Sequence, residues 1–308
     1  MDNFIKTAIV GIVFTMIPLI VSAFEKNAIA YNVIDGTNTV RVIRNNDNSY
    51  PSEVHIPEQV TYGGKTFTVV AISDWAFSKS KGGSIFYIPK TVTEIGNGAF
   101  DESTCEKVIF EQGCTITDIP YACFRNSFLE DIDIPESVSE IRAEAFYGCR
   151  YLTFIIIPPT VQTIWADSFG GCVRQTRTQY FDWPLTMVIE ESPTTLILKG
   201  SGTINSRTLK LRVGRRFRAE KVVADNPQTT FHRVISVTFD GEGDPDDYTS
   251  AGYEESIIIK RRIHPKHMTK GRFNAVNKYN CKLTVPKDMV TLYEETPFWS
   301  VFHYIEGF

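Results

Sequence analysis

Histidine, cysteine and carboxylate side chains are the groups in this chain that could hold a metal ion. His264 and His267 are three residues apart, whereas a helical zinc site needs two His residues four apart with a Glu between them. The acidic loop Asp240–Asp247 offers the oxygen ligands that Ca²⁺ prefers, but Pro245 and Ala251 stand where an EF-hand needs Gly and Glu. We therefore predict no metal site and no cofactor, with solvated loops at both places.

Residue patterns for catalysis are equally absent from the sequence. The chain has no nucleophile elbow, no phosphate-binding loop and no credible acid–base pair at a recognisable spacing. We therefore predict a protein that is not an enzyme. The alternative is an enzyme whose active site lies in the irregular C-terminal half.

The six cysteines leave two interpretations open. They lie at positions 105, 114, 123, 149, 172 and 281, without the CxxC spacing of a zinc or redox site. Cys149 and Cys172 are equivalent positions of neighbouring repeats, so they either form a disulfide or fill the core as buried free thiols, which we favour. Cys105 and Cys114 flank one predicted strand and could bridge its ends.

Basic residues cluster in the second half of the chain. Residues 1–172 carry a formal net charge of −8, and residues 173–308 carry +4. Two stretches stand out, 210–221 and 260–272, and a shared face would suit a polyanion such as a sulfated glycan. The alternative is a scattered set of solvated charges. The acidic first half argues against nucleic acid as a partner. The candidate polyanion-binding residues are Arg212, Arg215, Arg216 and Arg218.

An internal repeat organises the first half of the chain. Residues 129–172 contain two copies of one 23-residue unit, and three apolar columns extend it upstream with steps of 23, 24, 22 and 23 residues. The columns are Val69, Val92, Ile116, Val138 and Val161; Ile72, Ile95, Ile119, Ile141 and Ile164; and Phe77, Phe100, Phe124, Phe146 and Phe169. A fourth column, Ile56, Ile88, Phe110, Ile134 and Ile157, is followed by proline in all but the third unit.

Each unit reads as one turn of a solenoid. In Leu129–Ile134, Ile132 and Ile134 alternate with Asp131 and Asp133, which is the pattern of a short strand with one buried face. The proline that follows removes a donor and ends the strand. One unit cannot bury its own apolar face, so the turns must stack.

The pattern LxxIxIPxxVxxIxxxAFxxC resembles the BspA-like class of leucine-rich repeats found in secreted and surface proteins. The resemblance covers residues 52–172 closely and departs in the third unit, where Phe110-Glu-Gln-Gly replaces Ile-Pro. It implies a mainly β fold: a short, right-handed leucine-rich repeat solenoid with one short strand per turn, an N-terminal β-hairpin cap and an irregular β-rich C-terminal half. It also implies a general habit of binding, and no catalytic residues.

Residues that alternate with the core columns are predicted to face outward. Four of them are large and apolar on a face that should be solvated: Tyr87, Ile109, Phe154 and Ile156. An exposed apolar patch of this kind usually marks an interaction site. The alternative is that these side chains pack under the hairpin, under the C-terminal half or against a second copy.

The ends of the chain complete the predicted organisation. Residues 1–23 have the basic, apolar and small-residue regions of a cleaved signal peptide, with an uncleaved anchor as the alternative. Residues 24–51 predict a capping hairpin that turns at Asp35-Gly36. Residues 52–172 hold five repeats, 173–280 hold degenerate repeats or a separate β domain, and 281–308 resemble the closing cap of BspA-like proteins.

The sequence as a whole therefore predicts an exported, non-enzymatic repeat protein in the periplasm, at the cell surface or secreted. Its expected partner is an extracellular protein or a surface glycan, bound on the face of the sheet, and it meets a membrane only through its signal peptide. A structural spacer without any binding patch is a further alternative.

Overall fold

The computed structural model describes residues 23–172, 185–199, 209–214, 217–220, 234–239, 245, 254–268 and 273–308. Their regular secondary structure is mostly β-strand, with one short α-helix, α1 (Val290–Glu295), and 3-10 helices at Pro265–His267 and Lys287–Met289. The predicted signal peptide lies outside the described residues, apart from Ala23. No helix among the described residues is long and apolar enough to span a membrane.

The N-terminal strands form an antiparallel group attached to the first turn. β1 (Ala23–Lys26), β2 (Ile29–Val33) and β3 (Thr39–Ile43) pair in order, and β3 then runs parallel to β6 (Lys65–Ile72). β5 (Gln59–Tyr62) folds back on β6 through Gly63-Gly64, where both glycines have positive φ. The hairpin therefore caps the solenoid by extending the sheet of its first turn.

A ladder of parallel strands runs along one side of the molecule, one strand from each turn. Four strands form the first sheet: β4 (Glu53–His55), β7 (Ile85–Ile88), β9 (Lys107–Phe110) and β11 (Asp131–Ile132). Seven form the next: β13 (Phe154–Ile157), β15 (Leu185–Ile189), β17 (Leu209–Val213), β19 (Val234–Phe239), β20 (Ser256–Ile259), β21 (Lys282–Val285) and β22 (Tyr304–Gly307). Every pairing within these two sheets is parallel, so the strands of the C-terminal half stack as further turns.

A second series of short strands lies on the Val-x-x-Ile segment of each turn, where the sequence predicted a single strand per turn. β8 (Glu94–Ile95) pairs with β6 of the cap. The remaining strands form a parallel sheet: β10 (Asp118–Ile119), β12 (Glu140–Ile141), β14 (Thr163–Ile164), β16 (Leu196–Lys199) and β18 (Phe217–Glu220). Most of these strands have two residues, too few for an alternating pattern to stand out in the sequence.

Phenylalanine rings fill the centre of the repeats. Phe77, Phe100, Phe124, Phe146 and Phe169 are all fully buried. Consecutive rings are stacked, with centroids 5.2, 5.2, 5.5 and 5.1 Å apart. The Phe column therefore forms a continuous stack along the solenoid, and the small residue before each Phe leaves room for it.

The backbone around each Phe is left-handed at two positions, two residues before the ring and two residues after it. The ten residues with positive φ are Trp75, Gly98, Ala122, Glu144 and Asp167 before the ring, and Lys79, Glu102, Asn126, Gly148 and Gly171 after it. This conformation turns alternate amides toward the next turn. In one corner Ala122, Phe124 and Asn126 donate to the carbonyls of Ala143, Ala145 and Tyr147.

Candidate functional site

The outward-facing side chains of the parallel ladder form the surface that we call the outer face. Alternation places them there: in β13, Phe154 and Ile156 are 50% and 38% exposed, while Ile155 and Ile157 are buried. In β7, Phe86 and Ile88 are likewise buried and Tyr87 is half-buried. The period-two pattern in the sequence thus predicted the orientation of these side chains correctly.

The pairing of the strands groups the four residues that were predicted to bind a partner into two pairs. Tyr87 lies opposite Ile109 on the neighbouring strand, and Phe154 and Ile156 lie two apart on β13. Between the pairs runs β11, whose outward side chain is Asp131, followed by the exposed Asp133. An acidic turn that carries Asp131 and Asp133 therefore divides the apolar surface. The alternation of these two residues with Ile132 and Ile134 was already visible in the sequence.

Tyr87 is partly covered by its other neighbour. The rings of His55 and Tyr87 stack with centroids 4.1 Å apart and planes 7° from parallel. His55 Nε2 also lies 3.3 Å from a carboxylate oxygen of Glu53 on the same strand. This contact orders one end of the outer face.

The outer face continues beyond the repeats that the sequence identified. Phe154 and Ile156 lie opposite Thr186 and Val188 of β15, and both of these side chains are half-buried. The sequence analysis did not assign either residue to the site. The alternation of buried Leu185, Met187 and Ile189 with Thr186 and Val188 is the signal that could have found them. Although that segment lacks the repeat spacing, it still has the period of a strand.

The four arginines predicted to bind a polyanion do not share one sheet. Arg212 is in β17 of the seven-stranded sheet, and Arg218 is in β18 of the five-stranded sheet. Arg215 and Arg216 lie outside the described residues. The predicted acidic loop Asp240–Asp247 also lies outside them, apart from Pro245.

All six cysteines are free and buried, which agrees with the thiol interpretation and not with the disulfides. Cys149 Sγ donates to the carbonyl of Phe124 at 3.0 Å, and Cys172 Sγ donates to that of Phe146 at 3.1 Å. Burial raises the pKa of the Cys149 thiol to about 12. These thiols donate hydrogen bonds to carbonyls of the preceding turn. Their raised pKa keeps them protonated at neutral pH, so they do not act as nucleophiles there.

His264 and His267 have a local structural role. His264 Nδ1 accepts a hydrogen bond from the amide of Lys266 at 3.2 Å and so caps the 3-10 helix Pro265–His267. Where the chain is described, no group of three or more His, Cys, Asp or Glu side chains is arranged to hold a metal ion.

An open depression of about 600 Å³ lies near the C-terminal end of the chain. Its lining includes Glu294, His303 and Glu306. Lys282 Nζ lies 2.6 Å from Glu306, and this bond lowers the pKa of the Glu306 carboxyl. The depression is lined by residues of the C-terminal cap and lies outside 173–280, where the enzyme alternative places its active site, so it does not test that alternative.

Comparison with known proteins agrees with this architecture. A family model described as a BspA type leucine rich repeat region matches residues 52–176 in six copies, where the sequence columns show five turns in 52–172. A search of the curated proteins finds no match.

Solved structures of leucine-rich repeat proteins align with most of this chain. A leucine rich cell surface protein from Faecalibacterium prausnitzii is 21% identical, with a TM-score of 0.53 over 87% of this chain and 71% of that one. A leucine-rich repeat protein from Bacteroides ovatus is 16% identical, with a TM-score of 0.42 over 85% of this chain and 78% of that one. Residues 52–176 of this chain are therefore a BspA-type leucine-rich repeat region, within a chain that has the leucine-rich repeat fold.

Proposed function

We propose that this chain is an exported, non-enzymatic repeat protein that binds an extracellular protein through its outer face. The observation that carries the proposal is the exposure of Phe154 and Ile156 on a regular parallel sheet. Neither the N-terminal hairpin nor the described part of the C-terminal half covers them. Burying two such side chains against a partner would contribute roughly 3 kcal/mol or more, enough to make them central to an interface.

The export part of the proposal rests on two observations. Residues 1–23 have the sequence features of a signal peptide. The structurally similar Faecalibacterium prausnitzii protein is described as a cell surface protein. Secretion of a reporter fused to residues 1–23 would test this part, and retention of the reporter in the cytoplasm would contradict it.

Binding of the full chain to a panel of extracellular proteins and sulfated glycans tests the interaction. Phe154→Asp and Ile156→Asp place charges on the outer face and should abolish binding to a protein partner. Tyr279→Asp is the matched control, because Tyr279 is 77% exposed in a loop away from that face. Thermal unfolding of each variant checks that the fold is intact.

The outcomes separate the alternatives. Binding that is lost with the two outer-face variants and kept with Tyr279→Asp supports the proposal. Binding that is lost only when Arg215 and Arg216 are reversed to Glu, and that weakens with salt, moves the site to the basic region. Equal binding by all variants, or no binding across the panel, contradicts the proposal.

A further inference from the structure

The acidic turn in the middle of the outer face points to the chemistry of the partner. Asp131 and Asp133 are exposed on the same side of the turn, while Ile132 and Ile134 between and after them are buried. On one side of this turn lie Tyr87 and Ile109, and on the other lie Phe154 and Ile156. Two carboxylates therefore lie between two apolar pairs.

The two carboxylates share one described cation. Lys107 of the neighbouring strand lies opposite Asp131 and forms an ion pair with it. Asp133 forms no direct ion pair with any residue that the structure describes, although Lys107 also attracts its carboxylate from a longer distance. A partner that covers the flanking apolar side chains will also cover Asp133, and burying a carboxylate without a cation is costly. The partner must therefore bring a positive charge to this position.

The spacing of the turns matches an extended polypeptide. Adjacent turns are about 4.8 Å apart, so Asp133 lies about 7 Å from the midpoint of Tyr87 and Ile109 along the ladder. On the other side, β13 belongs to the next sheet but is in contact with β11, so the Ile156–Val188 pair flanks Asp133 at a comparable distance. Alternate residues of an extended chain are about 6.8 Å apart, so residues i, i+2 and i+4 can reach all three positions.

We infer that the outer face binds an extended segment of its protein partner in which a Lys or Arg lies between two apolar residues, each two positions away. The segment runs across the strands, with its cation on Asp133 and its apolar side chains on the Tyr87–Ile109 and Ile156–Val188 pairs. This inference rests on the proposed function and specifies the partner. A sulfated glycan is disfavoured at this place, since Asp131 and Asp133 would repel it.

Selection of a random heptapeptide display library on the immobilised full chain tests the inference without knowledge of the natural partner. The expected enrichment is apolar-x-Lys/Arg-x-apolar. Asp133→Asn should weaken binding of an enriched peptide roughly fivefold, and selection on Asp133→Lys should replace the central cation by Asp or Glu. Glu136→Lys is the control, because Glu136 is exposed just after the strand and should leave the enriched pattern unchanged.

Other results overturn the inference in distinguishable ways. Peptides that lack the central cation but lose binding with Ile156→Asp would disprove the inference and leave the proposed function standing. If the enriched peptides bind Ile156→Asp and Asp133→Lys as well as the wild type, or if nothing is enriched, both the inference and the proposed function are contradicted. Sedimentation that shows a dimer abolished by Phe154→Asp would make a second copy of this chain the occupant and overturn the inference.

Discussion

Individual polar residues tie successive turns of the solenoid together. Arg125 is the clearest case: its Nε lies 2.7 Å from Asp101 on the preceding turn, and its Nη1 lies 3.1 Å from Glu144 on the following turn. The Asp101 side chain is only 3% exposed. One guanidinium therefore connects three turns, and the buried carboxylate of Asp101 depends on it.

Removing Arg125 should be far more damaging than removing an exposed arginine. Arg125→Ala leaves Asp101 buried without its cation, which should lower the free energy of unfolding by roughly 3 kcal/mol. Arg142→Ala removes a comparable 2.7 Å pair with Asp118, but the Arg142 side chain is 52% exposed, so the loss should stay under about 1 kcal/mol. Urea denaturation of both variants measures this, and equal losses would contradict the role given to burial.

The buried thiols should make stability fall at high pH. Burial raises the pKa of Cys149 from 9.0 to about 12, so the folded state favours the neutral thiol. That stabilisation is complete below pH 9 and declines as pH rises toward 12, by up to about 1.4 kcal/mol per pH unit. Cys149→Ser should remove this decline, and earlier turns already place Ser80, Ser103 and Ser127 at the equivalent position.

The measurement is the free energy of unfolding of both proteins from pH 8 to pH 11 under reducing conditions. The stability of the wild type should fall toward that of Cys149→Ser as the pH rises. Other buried groups, such as Tyr31, titrate equally in the two proteins and cancel in the difference. A stability difference that does not change with pH would show that the Cys149 thiol is not desolvated in the native state.

At the scale of elements, the solenoid is held by stacked rings and by strands too short to be stable alone. A two-residue strand such as β12 is stabilised through its parallel neighbours β10 and β14. The Phe rings are fully buried and stack from one turn to the next. Local strand formation therefore depends on the ring beneath it.

Loss of one ring from the middle of the stack should destabilise the repeats strongly. Phe124→Ala opens a cavity between Phe100 and Phe146 and should cost about 3–5 kcal/mol, whereas Phe124→Leu should cost less than about 1.5 kcal/mol. Phe128→Ala is the control, because Phe128 is 46% exposed. Thermal and urea unfolding give the comparison, and a Phe124→Ala protein as stable as the control would disprove a continuous stack.

The whole molecule is a linear array with a cap at each end. One apolar core runs from Phe24 in the N-terminal strands to Phe302 near the C-terminus, and each turn bonds chiefly to its neighbours. Trp299 closes the far end: it is fully buried, its Nε1 donates to the carbonyl of Pro265 at 3.2 Å, and its ring packs on Tyr293. In such an array, a destabilising substitution should weaken the neighbouring turns more than the distant ones.

Trp299→Ala should therefore loosen the C-terminal turns and spare the N-terminal ones. Hydrogen exchange should show lost protection in β20, β21 and β22, with β7 and β9 nearly unchanged. Val301→Ala is the control, since Val301 is 54% exposed. If protection fell equally in all of these strands, the chain would be one cooperative unit and the nearest-neighbour description would be wrong.

The sequence by itself determined the repeat, the buried columns and the outward orientation of Tyr87, Ile109, Phe154 and Ile156, because alternation and a 23-residue period are local patterns. It also contained Asp131 and Asp133 between the two apolar pairs. It underestimated the strand content, since two-residue strands have no pattern of their own, and it missed Thr186 and Val188 because the period is lost after residue 172.

Only the tertiary structure decided which groups are compensated and how the corners turn. Seven of the ten left-handed corner residues are not glycine, so composition does not mark them. The strain at each, roughly 1–2 kcal/mol, is offset by amide bonds to a turn some 23 residues away. The same holds for Asp131, which pairs with Lys107 of the preceding turn, and for Asp133, which forms no direct ion pair with a described residue. These are contacts between turns, and a sequence specifies them only once the stacking register is known.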